Sequence, residues 1–300
     1  MIKKMAVWPL IALMLVAAIA ILTKKPWTLA LGVTAVSFAC EYVDSTLGMG
    51  YGTALGALLI IFGLNPKQVV FTVLFSELLT GLFAGIMHHY VGNVNFKVTK
   101  IIDVHDIARI GWKDALKKRL SLDLKIALLI ALCGAVGVIV AAVTVFNIPK
   151  FYMQMYIGIV VLSMGIIVLV LRNRQFRFSW PRVVTLGTVA AFNKGMSGGG
   201  YGPLVTAGQI LSGVKSRNAI GITSLAEGCT CFFGVLAYFL LAHEPPYLET
   251  APYIIIGALS SVPISAFSVK HINEGVLKLS IAFATIVLGA LVIIKTLNLL

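Results

Sequence analysis

Asp44-Ser45-Thr46-Leu47-Gly48-Met49-Gly50-Tyr51-Gly52-Thr53 and Lys194-Gly195-Met196-Ser197-Gly198-Gly199-Gly200-Tyr201-Gly202-Pro203 are one glycine-rich break written twice, 150 residues apart. The same shift, without a gap, lays Gly63 on Gly213, Lys67 on Arg217, Glu77 on Glu227, Thr80 on Thr230 and Phe83 on Phe233. Compositional bias produces chance matches among apolar residues. It does not align two glutamates and two glycine-tyrosine-glycine breaks at one offset. The chain is therefore read as two copies of one unit.

The surroundings of the breaks say what the unit is. Of 300 residues, 59% are apolar and 12% charged, against roughly 25% charged in soluble domains. Apolar runs of about 20 residues, enough to cross a hydrocarbon core of ~30 Å, recur along the chain. They are read at Trp27–Leu47, Gln68–Tyr90, Ile126–Phe146, Phe151–Leu171, Ala219–Ala242, Ala251–Val269 and Val276–Ile294. Shorter pieces flank the breaks at Thr53–Leu64, Val183–Phe192 and Leu204–Leu211. This predicts an all-α polytopic membrane protein and excludes a disordered chain or a disulfide scaffold. Residues 1–25 read as a retained N-terminal membrane helix, with a signal peptide as the alternative. Repeat 1 is placed at 26–171, with a polar cytoplasmic insertion at 98–122, and repeat 2 at 172–300.

The net charge of +13 sits mainly in loops, where it orients a membrane protein rather than binding nucleic acid. If the two arms around each break begin and end on one side, eighteen Lys and Arg residues fall on that side and five on the other, with Lys194 in the membrane. A single crossing at each break gives about fifteen to eight. The larger asymmetry implies an odd number of crossings per unit, hence inverted repeats, a transporter architecture. Each break is then either two crossings or a re-entrant hairpin, meeting its partner near mid-membrane. The expected setting is the bacterial inner membrane, multi-pass. The expected partners are a small anion and the bilayer, with a homo-oligomer neither required nor excluded.

Glycine-rich breaks free backbone N–H groups at the start of a helix, whose positive end favours anions. Gly48, Gly50, Tyr51 and Gly52 in the first copy, and Gly198, Gly199, Gly200 and Tyr201 in the second, are the candidate substrate-binding backbone. Lys194 is the candidate charge, with Asn193, Ser197 and the two tyrosines as orienting groups. The alternative is that the glycines only let helices approach. Glu41, Asp44, Glu77, Glu227 and Lys194 all lie in apolar surroundings, where a charge costs roughly 2.5–3.5 kcal/mol on insertion scales, so each should be paired or functional. The shift of 150 places Asp44 on Lys194 and predicts an Asp44–Lys194 pair as the alternative to Lys194 meeting substrate. Burial disfavours a charged carboxyl, which makes Glu77 and Glu227 candidates for proton coupling or for closing a broken-helix end. Asp44 and His88 are candidates for coupling or gating. His88-His89 matches Tyr238-Phe239 in the second copy, so this pair breaks the repeat symmetry.

Cys40, Cys133, Cys229 and Cys231 all lie in apolar segments and read as packing residues. There is no His-Glu-x-x-His motif, P-loop or Ser-His-Asp order. No enzyme activity, catalytic residue, metal or cofactor is expected.

The two breaks, Ser76-Glu77 on the following helix, and His88-His89-Tyr90-Val91-Gly92-Asn93-Val94 together resemble the sulfite exporter (TauE/SafE) family, from about Trp27 to Ile294. The resemblance implies a membrane protein that moves sulfite, organosulfonates or related anions, generally outward. Two features depart from the usual pattern: the 98–122 insertion, and Thr53 where the second copy has Pro203. The residues alone also allow a cation carrier built on the carboxylates, whose sum with Lys194 is −3, or a scaffold without a transport cycle.

Overall fold

The computed structural model describes residues 27–61, 66–98, 120–144, 150–171, 177–197, 201–241 and 250–297. The expected N-terminal helix and most of the insertion lie outside these residues. So do Gly198, Gly199 and Gly200. Ten helices run through the described residues. They are α1 (Trp27–Leu47), α2 (Tyr51–Ile61), α3 (Pro66–Val91), α4 (Leu122–Thr144), α5 (Lys150–Leu171), α6 (Trp180–Ser197), α7 (Tyr201–Leu211), α8 (Ser216–Leu241), α9 (Ala251–His271) and α10 (Glu274–Thr296). An isolated antiparallel bridge, Val98 with Leu120, closes the stem of the insertion. Asp123 reinforces the stem by accepting from the Asn95 amide at 2.9 Å and from Asn218 Nδ2 at 2.8 Å.

Five of these helices contain stretches long and apolar enough to cross a bilayer: Val69–Val91, Leu122–Ala141, Ser216–Leu240, Ala251–His271 and Leu279–Thr296. In hydrocarbon every backbone polar group must find a partner within the protein, which helices achieve internally. The protein is an all-α polytopic membrane protein. Its ten helices follow the ten apolar segments read from the sequence, but both breaks are narrower than the glycine runs. The helix resumes at Tyr51, and α6 carries Lys194 and Gly195 within its last turns.

The short helices α2 and α7, of 11 residues each, rise about 16 Å, roughly half a hydrocarbon core. Each packs in an equivalent nest. Tyr51, Leu55 and Leu59 of α2 share an apolar cluster with residues of α1, α3 and α9, and Tyr201, Leu204 and Val205 of α7 share one with residues of α6, α8 and α4, while α7 also packs on α5. The pairings exchange between halves: α1 packs on α9 as α6 packs on α4. The central crossing is that of α3 with α8. A Cβ on Gly81 would sit 2.8 Å from the Gly228 nitrogen and the Ser224 carbonyl, so only glycine permits this approach.

Candidate functional site

The breaks meet. The Gly48 carbonyl accepts a hydrogen bond from Thr206 Oγ1 at 2.7 Å. Gly202 is packed against Met49 and the Gly48 carbonyl so closely that a Cβ there would lie 2.7 Å from Met49 Cα. The first break turns through left-handed backbone at Gly48 (φ 74°) and Gly50 (φ 120°), conformations that glycine adopts without strain. Gly52 is buried in the first turn of α2.

Thr206 belongs to a directed chain. The Gln209 amide donates to Thr223 Oγ1 at 2.8 Å. The Thr223 hydroxyl then lies 3.0 Å from Thr206 Oγ1, whose own proton goes to Gly48. Sequence reasoning missed these three residues. They are detectable in the repeat alignment, where Thr206, Gln209 and Thr223 replace Gly56, Leu59 and Val73 of the first copy.

Two carbonyls that the broken helices expose find donors at matching places. His88 Nε2 lies 2.9 Å from the Ser45 carbonyl. The Tyr238 hydroxyl donates to the Gly195 carbonyl at 2.9 Å. The positions correspond under the 150-residue shift, so the expected break of symmetry at 88 and 238 is one of residue type and not of role. Asn93 Nδ2 donates to His88 Nδ1 at 3.0 Å and to the Ala266 carbonyl at 2.7 Å. A carbonyl only accepts, which fixes the His88 proton on Nε2. His88 is fully buried, its Nε2 tying α3 to α1 and its Nδ1 engaged by Asn93, which carries the link on to α9.

The expected Asp44–Lys194 pair does not form. Lys194 Nζ donates to Glu227 Oε1 at 2.7 Å and pairs with Glu77 Oε2. These glutamates occupy the same position in the two copies and are brought to one ammonium by the α3–α8 crossing. Lys194, Glu77 and Glu227 are 1%, 2% and 4% exposed, so the cluster is shielded from water. Asp44 Oδ1 instead accepts from the Tyr51 amide at 3.2 Å. Asp44 is thus the first copy's own hydrogen-bond acceptor at the start of α2. In the second copy that sequence position is Lys194, and among the described residues no carboxylate accepts from the first amides of α7. Glu41 Oε1 accepts from Ser45 Oγ at 2.5 Å. Cys231 is more than filler, since its thiol lies 3.9 Å from Glu77 Oε2.

The two tyrosines expected at the site each bond hydroxyls of neighbouring helices. Tyr51 Oη shares hydrogen bonds with Ser76 Oγ (2.6 Å) and Ser37 Oγ (3.1 Å), and Tyr201 Oη with Thr230 Oγ1 (3.4 Å). Both tyrosines are fully buried. Asn193 is buried beside Lys194. Ser197 closes α6, and its side chain lies outside the described residues. Among the described residues no group of three or more His, Cys, Asp or Glu side chains is placed to hold a metal ion.

Residues 113–292 match the family described as sulfite exporter TauE/SafE. The chain is also 22% identical over 250 residues to the probable membrane transporter protein YtnM of Bacillus subtilis (strain 168), covering 79% of this chain and 74% of that one. No solved structure matches.

Proposed function

The chain belongs to the sulfite exporter TauE/SafE family, and from that premise we propose that it is a secondary transporter of small sulfur-containing anions. Sulfite and organosulfonates are the class, the bacterial inner membrane the location, and export the direction. The observation that carries this reading is Lys194, a fully buried ammonium held by two repeat-equivalent carboxylates, on the helix that leads into the second break. A buried charge of this kind in a membrane protein marks a substrate or ion pathway. Among the described residues no carboxylate fills at α7 the place that Asp44 fills at α2, so an anion reaching this helix end meets its positive pole near a lysine.

The exchange of helix pairings between halves supports inverted repeats at 26–171 and 172–300, with the breaks at their interface. The substrate and the surrounding lipid are the partners in this reading. Glu77 and Glu227 supply the coupling to protons. A cation carrier is the second reading, favoured by the surplus of carboxylates over Lys194. Binding of sulfite, sulfate, methanesulfonate and divalent cations to the purified protein separates the two. Anion binding lost in Lys194→Met supports the first, and cation binding that survives this substitution supports the second.

A further inference from the structure

Lys194 has three N–H donors, and its ammonium already serves Glu227 Oε1 at 2.7 Å and Glu77 Oε2. Any anion that reaches this nitrogen therefore meets two carboxylates within hydrogen-bond range of the same atom. With Lys194 and both glutamates ionised, the triad carries −1, and a bound monoanion would make it −2 in a site closed to water. Glu77 Oε1 is buried without a hydrogen-bond partner, so it can take a proton with no existing bond to break.

Among the described residues the neighbours offer no other cation. The charged and titratable groups facing the triad are Asp44 and Glu41 from α1, Cys231 from α8, Tyr51 from α2 and Tyr201 from α7. Asp44 and Glu41 are tied to the Tyr51 amide and the Ser45 hydroxyl. Each tyrosine hydroxyl is bonded to Ser or Thr hydroxyls.

Resting on the anion-transport reading above, we infer that the substrate and the Glu77–Glu227 pair compete for Lys194, and that each bound anion brings one proton onto the pair. The proton comes from bulk water and settles on a glutamate oxygen. Lys194 keeps its own proton and turns to the anion. Because the glutamates share one ammonium, the proton belongs to the pair and not to either residue. The triad carries −1 both empty and loaded, so transport of a monoanion moves no net charge.

Methanesulfonate tests this, because it remains a monoanion across the accessible pH range and its own titration cannot mimic the effect. Linkage requires its apparent Kd in calorimetry on the purified full chain to tighten about tenfold for each unit fall in pH while the pair is ionised. A pH-indicator dye in weak buffer should report close to one proton taken up per anion bound. Glu77→Gln and Glu227→Gln should each flatten the pH dependence. If a variant does not fold, the dye measurement on the unaltered chain decides. Binding without pH dependence or proton uptake overturns this inference and leaves the anion reading standing. A slope retained in both glutamine variants removes the pair from the linkage. Absence of binding by methanesulfonate and sulfite at every pH overturns the anion reading itself, and this inference with it.

Discussion

The hydroxyl of Tyr238 donates to the carbonyl of Gly195 across 2.9 Å, three residues before the second glycine run begins. The last carbonyls of a broken helix have no partner in their own helix, and in hydrocarbon such a group must be satisfied by the protein. His88 does the same for Ser45 in the first repeat. Tyr238→Phe leaves one buried carbonyl unpaired and should lower stability by about 1–3 kcal/mol. His88→Phe also leaves one of the two Asn93 Nδ2 protons without its acceptor, the other still reaching the Ala266 carbonyl, and should cost more. Thermal unfolding in detergent measures both, and an unchanged Tm in Tyr238→Phe would show that this hydrogen bond is dispensable.

Lys194→Met leaves Glu77 and Glu227 facing each other without a counter-charge. Removing one partner of a buried ion pair typically costs 3–5 kcal/mol, so a low folded yield is expected for the single variant. Adding Glu77→Gln and Glu227→Gln should restore yield, because the repulsion disappears while side-chain volume is kept. Anion binding should stay lost in this triple variant. Recovery of binding together with yield would assign Lys194 a purely structural part.

Asp44→Lys combined with Lys194→Asp should not regain activity. The structure gives the reason: the two residues are not partners. The swap would place an ammonium against the Tyr51 amide, itself a donor, and a third carboxylate beside Glu77 and Glu227. Activity of the double variant, measured by anion efflux from vesicles, checks this.

Gly202→Ala should block function and reduce stability, because the added methyl group meets the Gly48 carbonyl and Met49 Cα, both backbone atoms with little freedom to move. Gly32→Ala is the control, since a Cβ there has open space and alanine suits a helix interior better. Similar yields and transport for the two variants would mean that the breaks separate easily at Gly202.

The orientation of the repeats is tested by single cysteines placed at Lys67 and Lys215 in a cysteine-free background. Inverted repeats require labelling from opposite sides of the membrane. Labelling of both from one side removes the inversion and the charge argument behind it.

Much of the helical layout was legible in the sequence because hydrocarbon leaves few options. Trp27–Leu47 was read to the residue as α1, and Asn, Pro and Gly punctuation fell near most other ends. The duplicated glutamates and the intramembrane lysine were legible for the same reason, since charge in an apolar run has few innocuous explanations. The partner of Lys194 was not. Matching positions in two copies of a sequence are not thereby neighbours in space. The close crossing at Gly81 and Gly228 brings Glu77 and Glu227 to one point, while Asp44 is drawn to the N–H of Tyr51. The shared role of His88 and Tyr238 was hidden for another reason. An alignment scores resemblance between side chains, whereas a stranded carbonyl asks only for a proton donor of suitable reach.

The bond from Thr206 to Gly48 has a consequence for how the chain is made. When the first break leaves the ribosome, the donor that will satisfy its carbonyl lies 158 residues downstream. At elongation rates of about 5–20 residues per second, that group waits roughly ten to thirty seconds for its permanent partner. The first half therefore enters the bilayer with its centre unfinished, held by interim contacts with water, lipid headgroups or the insertion machinery. Slowing synthesis between Leu171 and Thr206 should lengthen this exposure and raise the share of chains lost to membrane proteases, while the same delay placed after Leu241 should cost far less.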